Sequence, residues 1–281
     1  MNATTIGQAL HQAQARGLDR LDAQLLLLHV LARPVHDRAW LLAHDGDALP
    51  PAAQVAYIAC AQRRARGEPL AYISGHKEFY GLDLQVDARV LVPRPETETL
   101  VEWALAVLPP NDAATTVLDL GTGSGAIALA LKHNRPVWQI SAVDASEAAL
   151  GVAQANARRL ALSVAFSHGA WFAGVPDPRC RFDAIVSNPP YVAAQDPHLE
   201  QLTHEPLQAL VSGADGLDDI RHIIRHAAPR LRPGGWLLLE HGYDQAQLVR
   251  TLLQDSGFLA VQSRLDLGGI ERCSGGQRGC A

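Results

Sequence analysis

From residue 115 onward, apolar strand-like runs alternate with helical segments, and this alternation limits the possible folds more than any other feature of the chain. Strands are predicted at 115–120, 138–143, 163–167, 182–187, 236–241 and 258–265, and helices at 124–133, 147–160, 217–230 and 244–255. Helices of this length supply the crossovers that parallel strands need. The pattern therefore predicts an α/β fold with a mostly parallel sheet and helices on both faces. A seventh strand near 271–279 is doubtful, because Ser274–Gly279 is too rich in glycine.

The residues before this region have a different character. Apolar side chains at helical spacing, a glycine stop and a proline start predict helices only in residues 1–75. Alternating apolar residues after Phe79-Tyr80-Gly81 predict a short hairpin. We therefore expect a small helical domain at 1–75, a hairpin and linker at 76–95, and an α/β domain at 96–281.

Composition excludes several classes of protein. The chain has 281 residues, 48% hydrophobic and 19% charged, which is typical of a globular protein. Its net charge of −5 provides no general attraction to nucleic acid. Four scattered cysteines without a Cys-x-x-Cys pair indicate reduced thiols, and no leader or apolar run of membrane-spanning length is visible. We expect a soluble, cytoplasmic protein.

A glycine cluster follows the first strand of the α/β region. Gly121, Gly123 and Gly125 come directly before a helix, where glycine lets the backbone approach a ligand closely. With Ala126 the cluster also fits the dinucleotide fingerprint, and Asp144 ends the next strand, where an acid can bind ribose hydroxyls. A dehydrogenase would show the same arrangement. Asp119, two residues before the first glycine, instead favours the Asp-x-Gly-x-Gly-x-Gly pattern of class I S-adenosylmethionine methyltransferases, in which the acid lies under the amino acid end of the cofactor.

A second informative segment, Asn188-Pro189-Pro190-Tyr191, ends the strand at 182–187. An amide nitrogen is a poor nucleophile because its lone pair is delocalised. The side-chain oxygen of Asn188 and the carbonyl of Pro189 are two acceptors suited to the two hydrogens of a planar –NH2 group. The prolines restrict the backbone, so that the acceptors need no reorganisation, and the Tyr191 ring can stack on a flat substrate group. The segment therefore indicates methyl transfer to an amide or base nitrogen.

Over nearly its full length the chain resembles the release factor glutamine methyltransferases of the PrmC/HemK family. The most discriminating likeness is the Pro-Arg-Pro-Glu-Thr-Glu sequence, since related enzymes acting on a ribosomal protein differ after the Pro-Arg. The segments that carry the resemblance are Gly75–Gly81, Leu91–Glu98, Asp119–Gly125, Ser187–Tyr191, Glu205-Pro206 and Leu239–Gly242. The resemblance implies a Rossmann-like, seven-stranded class I methyltransferase domain, preceded by a helical domain that docks the substrate and by the hairpin.

The resemblance also implies roles for particular residues. The cofactor would be bound by Gly121, Thr122, Gly123, Ser124, Gly125, Asp144, Trp171 and Asn188. Asn188, Pro189 and Tyr191 would be catalytic, and together with Pro190 they would hold the glutamine amide. The family usually has an acid before Trp171, suited to the adenine amino group, whereas this chain has Ala170. A backbone or neighbouring group must then make that contact.

By this resemblance, the expected activity is methylation of the side-chain nitrogen (N5) of the glutamine in the Gly-Gly-Gln motif of peptide chain release factors, a modification connected with translation termination. S-adenosylmethionine is the expected donor and no metal is implied. Two alternatives remain: a glutamine methyltransferase acting on a ribosomal protein and, more remotely, a DNA or RNA adenine N6-methyltransferase. We expect a monomer that needs neither nucleic acid nor a membrane.

Several other features stay open at this point. Arg94, Glu96 and Glu98 either line the active-site cleft or are charges at a helix N-terminus. Glu240 ends a strand and is expected to be structural. The chain itself contains Gly275-Gly276-Gln277, which we ascribe to chance in a frayed tail.

Overall fold

In the computed structural model, which describes residues 4–280, the chain separates into two units, residues 1–76 and residues 77–281. The first unit is helical. Its helices are α1 (Ile6–Ala15), α2 (Arg20–Val30), α3 (Arg38–Ala43), α4 (Pro51–Ala65) and α5 (Leu70–Ser74).

Local sequence explains where the helices of the first unit begin. The Thr5 side chain accepts from the Gln8 N–H while the Gln8 side chain accepts from the Thr5 N–H, which satisfies two free donors at the start of α1. At α2 the Asp19 side chain caps the helix by accepting from the Asp22 N–H at 2.9 Å. The apolar faces of these helices form a core of their own. Within it the Tyr57 hydroxyl donates to the Ala23 carbonyl at 3.0 Å.

The predicted hairpin follows, with β1 (His76–Phe79) and β2 (Leu82–Gln85), and after it comes a 3-10 turn at Pro95–Thr97. The remaining helices and strands follow in the predicted order. The helices are α6 (Glu98–Val107), α7 (Ala126–Asn134), α8 (Glu147–Arg159), α9 (Asp218–Ala227) and α10 (Ala246–Asp255). The strands are β3 (Thr116–Leu120), β4 (Gln139–Asp144), β5 (Ala165–His168), β6 (Phe182–Ser187), β7 (Leu231–Glu240), β8 (Leu259–Leu265) and β9 (Glu271–Gln277).

Within the described residues these strands form one seven-stranded sheet in the order β5-β4-β3-β6-β7-β9-β8. Strands β3 to β7 pair in parallel, and β9 lies antiparallel between β7 and β8. The predicted fold class, a mostly parallel sheet of the class I methyltransferase type, is confirmed. The strand order reverses between β3 and β6, so the carboxyl ends of β3, β4 and β6 meet at one edge of the sheet, where ligands bind in open α/β folds.

The expectation of a frayed glycine-rich tail was wrong. Strand β9 is continuous and largely buried, because its glycines are the residues that fit between its neighbours. A Cβ at Gly275 would lie 2.6 Å from the Leu237 carbonyl oxygen and 2.7 Å from a methyl of Leu238. The Gln277 amide donates to the Gly234 carbonyl at 2.7 Å. The Gly-Gly-Gln tripeptide of this chain is therefore a sheet component.

The start of β7 also differs from the prediction. The strand, expected from residue 236, begins at Leu231 and includes Pro233-Gly234-Gly235. The pairing of β7 with β6 is irregular at this point, with a shift of register between Phe182 and Ala184. A strand irregularity tolerates proline and glycine, whereas a regular central strand does not. Among residues 4–280, no helix has both the length and the apolarity needed to cross a bilayer.

Candidate active site at the carboxyl ends of the strands

A cavity of about 500 Å³ lies at the edge of the sheet where β3, β4, β5 and β6 end. This volume is typical of a small-molecule site. Most of the predicted cofactor residues meet on its wall. The lining includes Gly121, Thr122, Gly123, Ser124, Asp144, Trp171, Asn188 and Pro190, and also Arg89–Leu91, Pro93, Arg94, Thr97, Gln208 and Asp219.

The glycine loop needs backbone angles that other residues rarely adopt. Gly121, Gly123 and Gly125 have φ angles of 73°, 56° and 85°. A Cβ at Gly123 would meet nothing within 4 Å, whereas one at Gly125 would lie 3.0 Å from a Leu129 methyl and 3.2 Å from the Ala153 Cβ. Gly125 therefore packs the start of α7 against α8, and Gly123 keeps space open beside the cavity.

Asp144 is held in place by the backbone around it. Its Oδ2 accepts from the Gly123 N–H and its Oδ1 from the Ser146 N–H, both at 2.8 Å. Burial raises the pKa of Asp144, and these two hydrogen bonds oppose the shift by stabilising the ionised form. Each carboxylate oxygen retains a lone pair, so the group is suited to accept from two hydroxyls of a ribose.

Asp119 lies beneath the glycine loop and is fully buried. Its Oδ2 accepts from the Thr122 hydroxyl at 2.6 Å, while its Oδ1 has no hydrogen-bond partner in the part of the chain that the structure describes. Burial raises the pKa of Asp119 to about 7, against the hydrogen bond from Thr122. A buried unpartnered oxygen is costly, and a bound cation can compensate for it.

Trp171 begins a 3-10 turn that follows β5 and places its ring beside Gly121. An atom at the Cβ position of Gly121 would lie 3.4 Å from the indole ring. Trp171 has a φ of 49°, which is uncommon for a bulky residue and typical of a functional site. Ala170 and Gly169 line the cavity next to it and carry no polar side chain.

The Asn188-Pro189-Pro190-Tyr191 segment leaves β6 and contributes Asn188 and Pro190 to the cavity wall. The Asn188 Nδ2 donates to the Thr97 hydroxyl at 3.2 Å, and its Oδ1 has no hydrogen-bond partner among residues 4–280. Tyr191, which was predicted to stack on the substrate, is partly buried. Its ring packs against the apolar core, and its hydroxyl donates to Glu240 Oε1 at 3.3 Å.

Two of the three charged residues whose roles were left open, Arg94 and Glu98, make different contacts. Arg94 lines the cavity and forms an ion pair with Glu205, whose Oε2 also accepts from the Val92 N–H at 3.0 Å. Glu98 instead accepts from the Tyr80 N–H at 2.9 Å, and therefore fixes the hairpin to the start of α6. Arg94 is a cavity residue, and Glu98 is a structural one.

Sequence reasoning missed two polar residues of this site. Thr97 lies inside the Pro-Arg-Pro-Glu-Thr-Glu sequence, but nothing local indicates that it meets Asn188. Glu240 was expected to be structural, yet it is a buried carboxyl in contact with the Tyr191 hydroxyl. One signal was available for Glu240: an acid at the carboxyl end of a central strand belongs to the edge where ligands bind.

The sequence matches two protein families and several known relatives, all consistent with the fold and the cavity described above. The Methyltransferase small domain model matches residues 101–260, and the PrmC N-terminal domain model matches residues 4–75. A release factor glutamine methyltransferase of Coxiella burnetii is 49% identical, with 92% of each chain covered. One of Bordetella pertussis is also 49% identical, over 92% of this chain and 95% of the relative.

Structural comparison supports the fold alone. A methyltransferase of Pyrococcus furiosus aligns with a TM-score of 0.56 at 19% identity, covering 78% of this chain and 97% of the other. A 16S rRNA methyltransferase of T. thermophilus, solved with AdoMet and guanosine, aligns with a TM-score of 0.53 at 22% identity. The alignment covers 72% of this chain and 49% of the other.

The fold and the site together define a class I S-adenosylmethionine-dependent methyltransferase. The cofactor fits the residues present: Gly123 leaves space beside the cavity, and Asp144 on the cavity wall retains free lone pairs. At 49% identity over most of its length, the chain belongs to the family of release factor glutamine methyltransferases.

Proposed function

We propose that this protein methylates the side-chain amide nitrogen of the glutamine in the Gly-Gly-Gln motif of peptide chain release factors, with S-adenosylmethionine as the donor. Family membership supports the reaction and the substrate class. One structural observation carries the mechanism. Asn188 lines the cavity, its nitrogen donates to Thr97, and its oxygen has no hydrogen-bond partner among the residues that the structure describes, which is the arrangement needed to accept from a substrate –NH2 group.

The residues around the glycine loop bind the cofactor in this proposal. The backbone of the loop approaches the cofactor at the start of α7 from Gly121 to Gly125, including Thr122 and Ser124. The helix dipole favours negative charge at this point. Asp144 accepts from the ribose hydroxyls, and Trp171 packs against the adenine. Asp119 compensates the positive charge of the amino group at the amino acid end of the cofactor. When bound, S-adenosylmethionine supplies an electrophilic methyl group on a positively charged sulfur.

Asn188 and Pro189 orient the acceptor nitrogen. The Asn188 oxygen and the Pro189 carbonyl accept hydrogen bonds from the two hydrogens of the substrate amide. These bonds direct the nitrogen lone pair out of the amide plane and toward the methyl group. Tyr191 borders the flat amide, and its position is fixed by Glu240 and by Gln245, whose amide donates to the Tyr191 carbonyl at 3.0 Å. A nitrogen that is gaining a methyl group becomes acidic and releases its proton to solvent, so the mechanism needs no strong general base and no metal.

The helical unit contributes affinity for the folded substrate. Its match to the PrmC N-terminal domain and its separate core support a role in docking release factor away from the reactive glutamine. Removal of residues 1–75 should reduce methylation of intact release factor far more than methylation of a short Gly-Gly-Gln peptide. Circular dichroism and cofactor binding must first show that the remaining unit is folded. Equal losses on both substrates would leave the helical unit without a docking role.

The substrate is tested with a panel. Purified enzyme and methyl-labelled donor are incubated separately with release factor, ribosomal proteins and DNA. We expect label in release factor, and its loss when the motif glutamine is replaced by glutamate, since a carboxylate has no hydrogens for the two acceptors. Label in a ribosomal protein or in DNA would instead support one of the two alternative functions. A monomer that acts in the cytoplasm without nucleic acid also belongs to this proposal, and sedimentation of the enzyme tests its oligomeric state.

A further inference from the structure

An ion pair joins two segments of the cavity wall that lie far apart in the sequence. Arg94 comes just before the 3-10 turn that carries Thr97, the hydrogen-bond partner of Asn188. Its Nη2 donates to Oε1 of Glu205, whose Oε2 accepts from the Val92 N–H at 3.0 Å. The Glu205 side chain is 2% exposed, whereas that of Arg94 is 35% exposed and lines the cavity. A buried carboxylate therefore holds a partly exposed guanidinium on the side of the cavity where Asn188 lies.

This ion pair uses only part of the hydrogen-bonding capacity of Arg94. A guanidinium carries five N–H donors in a fixed plane. Among residues 4–280 the Arg94 side chain donates through Nη2 alone, to Glu205. Donors on Nε and Nη1 therefore remain for a molecule that enters the cavity.

Three prolines on the cavity wall make these donors important. Pro93, Pro190 and Pro206 line the cavity, and proline has no backbone N–H. A peptide that brings a glutamine side chain to Asn188 takes some of its own main-chain carbonyls out of water, and each of these needs a donor. Arg94 is placed to supply one.

The charge of the pair favours a neutral acceptor. Arg94 and Glu205 together carry no net charge, so they present directed N–H groups without the excess positive charge that binds phosphate. A main-chain carbonyl is neutral and accepts hydrogen bonds near the plane of its peptide group. The carboxylate of Glu205 also offsets the repulsion between the guanidinium and the positively charged sulfur of the methyl donor.

We propose that Arg94, held in place by Glu205, donates a hydrogen bond to a main-chain carbonyl of one of the two glycines before the acceptor glutamine. This inference rests on the proposed function, because it takes a Gly-Gly-Gln segment as the occupant of the cavity. It makes Arg94 a specificity residue for the peptide main chain and Glu205 a positioning residue. Glycine suits this contact, since the absence of a Cβ lets a side chain approach the main chain closely.

The test combines changes in the enzyme with changes in a short Gly-Gly-Gln peptide. In two modified peptides the carbonyl oxygen of one or the other glycine is replaced by sulfur, which is a weaker hydrogen-bond acceptor. With the wild-type enzyme, one of the two thioamide peptides should have a KM raised by roughly 5-fold or more. Arg94→Met should raise the KM of the unmodified peptide by about 10-fold, while kcat and the calorimetric Kd of S-adenosylmethionine change by less than about 3-fold. In that variant the same thioamide should change KM by less than about 2-fold, because the hydrogen bond is already lost.

Two further variants separate this effect from a loss of folding. Arg94→Met leaves Glu205 as a buried, unpaired charge, so Arg94→Met combined with Glu205→Gln removes that charge and keeps an oxygen for the Val92 N–H. The double variant should show the same KM and the same insensitivity to the thioamide, with a melting temperature closer to that of the wild-type enzyme. Arg232→Met is the matched control, since Arg232 pairs with Asp183 at 2.8 Å and lies outside the cavity lining. It should leave the KM of every peptide unchanged.

Three results would overturn the proposal: no effect of either thioamide on the wild-type enzyme, a thioamide effect of equal size with and without Arg94, or an unchanged peptide KM in Arg94→Met with weaker cofactor binding. The last result would assign Arg94 to the carboxylate of the methyl donor. The substrate panel with the wild-type enzyme is completed first and separates the two proposals. Label in a ribosomal protein or in DNA would contradict the proposed function and this inference with it. Label in release factor together with one of the three results would contradict only the role of Arg94.

Discussion

The two sides of the cavity are built in different ways. On the cofactor side, the loop Gly121–Gly125 and Asp144 are tied together by backbone, and both oxygens of Asp144 accept from backbone N–H groups. On the acceptor side, Thr97, Asn188 and the Tyr191–Glu240 pair meet through side chains, and within residues 4–280 Asn188 Oδ1 and Glu240 Oε2 have no hydrogen-bond partner. Binding therefore depends on local backbone shape, while reactivity depends on the polarity of side chains that the fold brings together.

This difference predicts that substitutions on the two sides affect different quantities. Changes on the acceptor side should reduce the rate of methyl transfer and leave cofactor affinity nearly intact. Changes on the cofactor side should weaken cofactor binding and leave the rate at saturation much closer to normal.

Asn188→Ala should have the largest effect. Loss of one preorganised acceptor should lower kcat by roughly 100-fold or more, as for the loss of one transition-state contact. Cofactor affinity, measured by calorimetry, should change much less. Asn134→Ala is a suitable control, because within the described part of the chain the Asn134 side chain donates to a carbonyl of its own helix and lies outside the cavity lining. Near-full turnover by Asn188→Ala would contradict the role assigned to the acceptor side.

Asp144→Asn should produce the opposite pattern. The amide places an N–H donor where the carboxylate accepts from the Gly123 and Ser146 N–H groups, and it weakens the contact with the ribose. We expect cofactor binding to weaken by about 1–3 kcal/mol, while kcat at saturating donor stays close to wild type. Calorimetry with S-adenosylmethionine and with NAD measures this directly. Tight NAD binding by the wild-type enzyme would favour the dehydrogenase alternative that the glycine pattern left open.

Substitutions at two glycines of one loop should affect cofactor binding and folding stability to different degrees. Both Gly123→Ala and Gly125→Ala strain a positive φ, at a cost of about 1 kcal/mol. Gly125→Ala also overpacks against Leu129 and Ala153, which should add about 1–3 kcal/mol of destabilisation in urea unfolding. Gly123→Ala should instead weaken cofactor binding with the smaller stability loss. The reverse order of stabilities would show that the loop packs differently.

The smallest effect concerns the pH dependence of stability. Glu240 has a pKa of about 7 in the folded protein, above its ordinary value of 4.5, so between these values the folded state holds the proton more tightly than the unfolded state. Its contribution to stability is therefore present below pH 4.5 and is lost as the pH rises toward 7. The Glu240→Gln variant lacks this titration. The free energy of unfolding of the variant minus that of the wild-type enzyme should therefore rise between pH 5 and pH 8, by on the order of 1 kcal/mol. A constant difference would show that Glu240 titrates normally.

The contrast between the two sides also explains which parts of the site the sequence could predict. The glycine loop and Asp144 depend on requirements within a few residues of one another, and these leave a recognisable pattern. The role of Thr97 depends on a partner from a distant strand end, and no local pattern encodes it. The same holds for β9. Its glycines contradict the propensity for a strand, yet Gly275 is required because Leu237 and Leu238 leave no room for a Cβ.

The most direct test of the central claim is the location of the transferred methyl group. Release factor is incubated with the wild-type enzyme and S-adenosylmethionine, digested, and sequenced by tandem mass spectrometry. The proposed function predicts a single added methyl group on the side chain of the motif glutamine, reduced roughly 100-fold in initial rate with Asn188→Ala. A methyl group on another residue, or unchanged transfer to this glutamine by Asn188→Ala, would contradict the account.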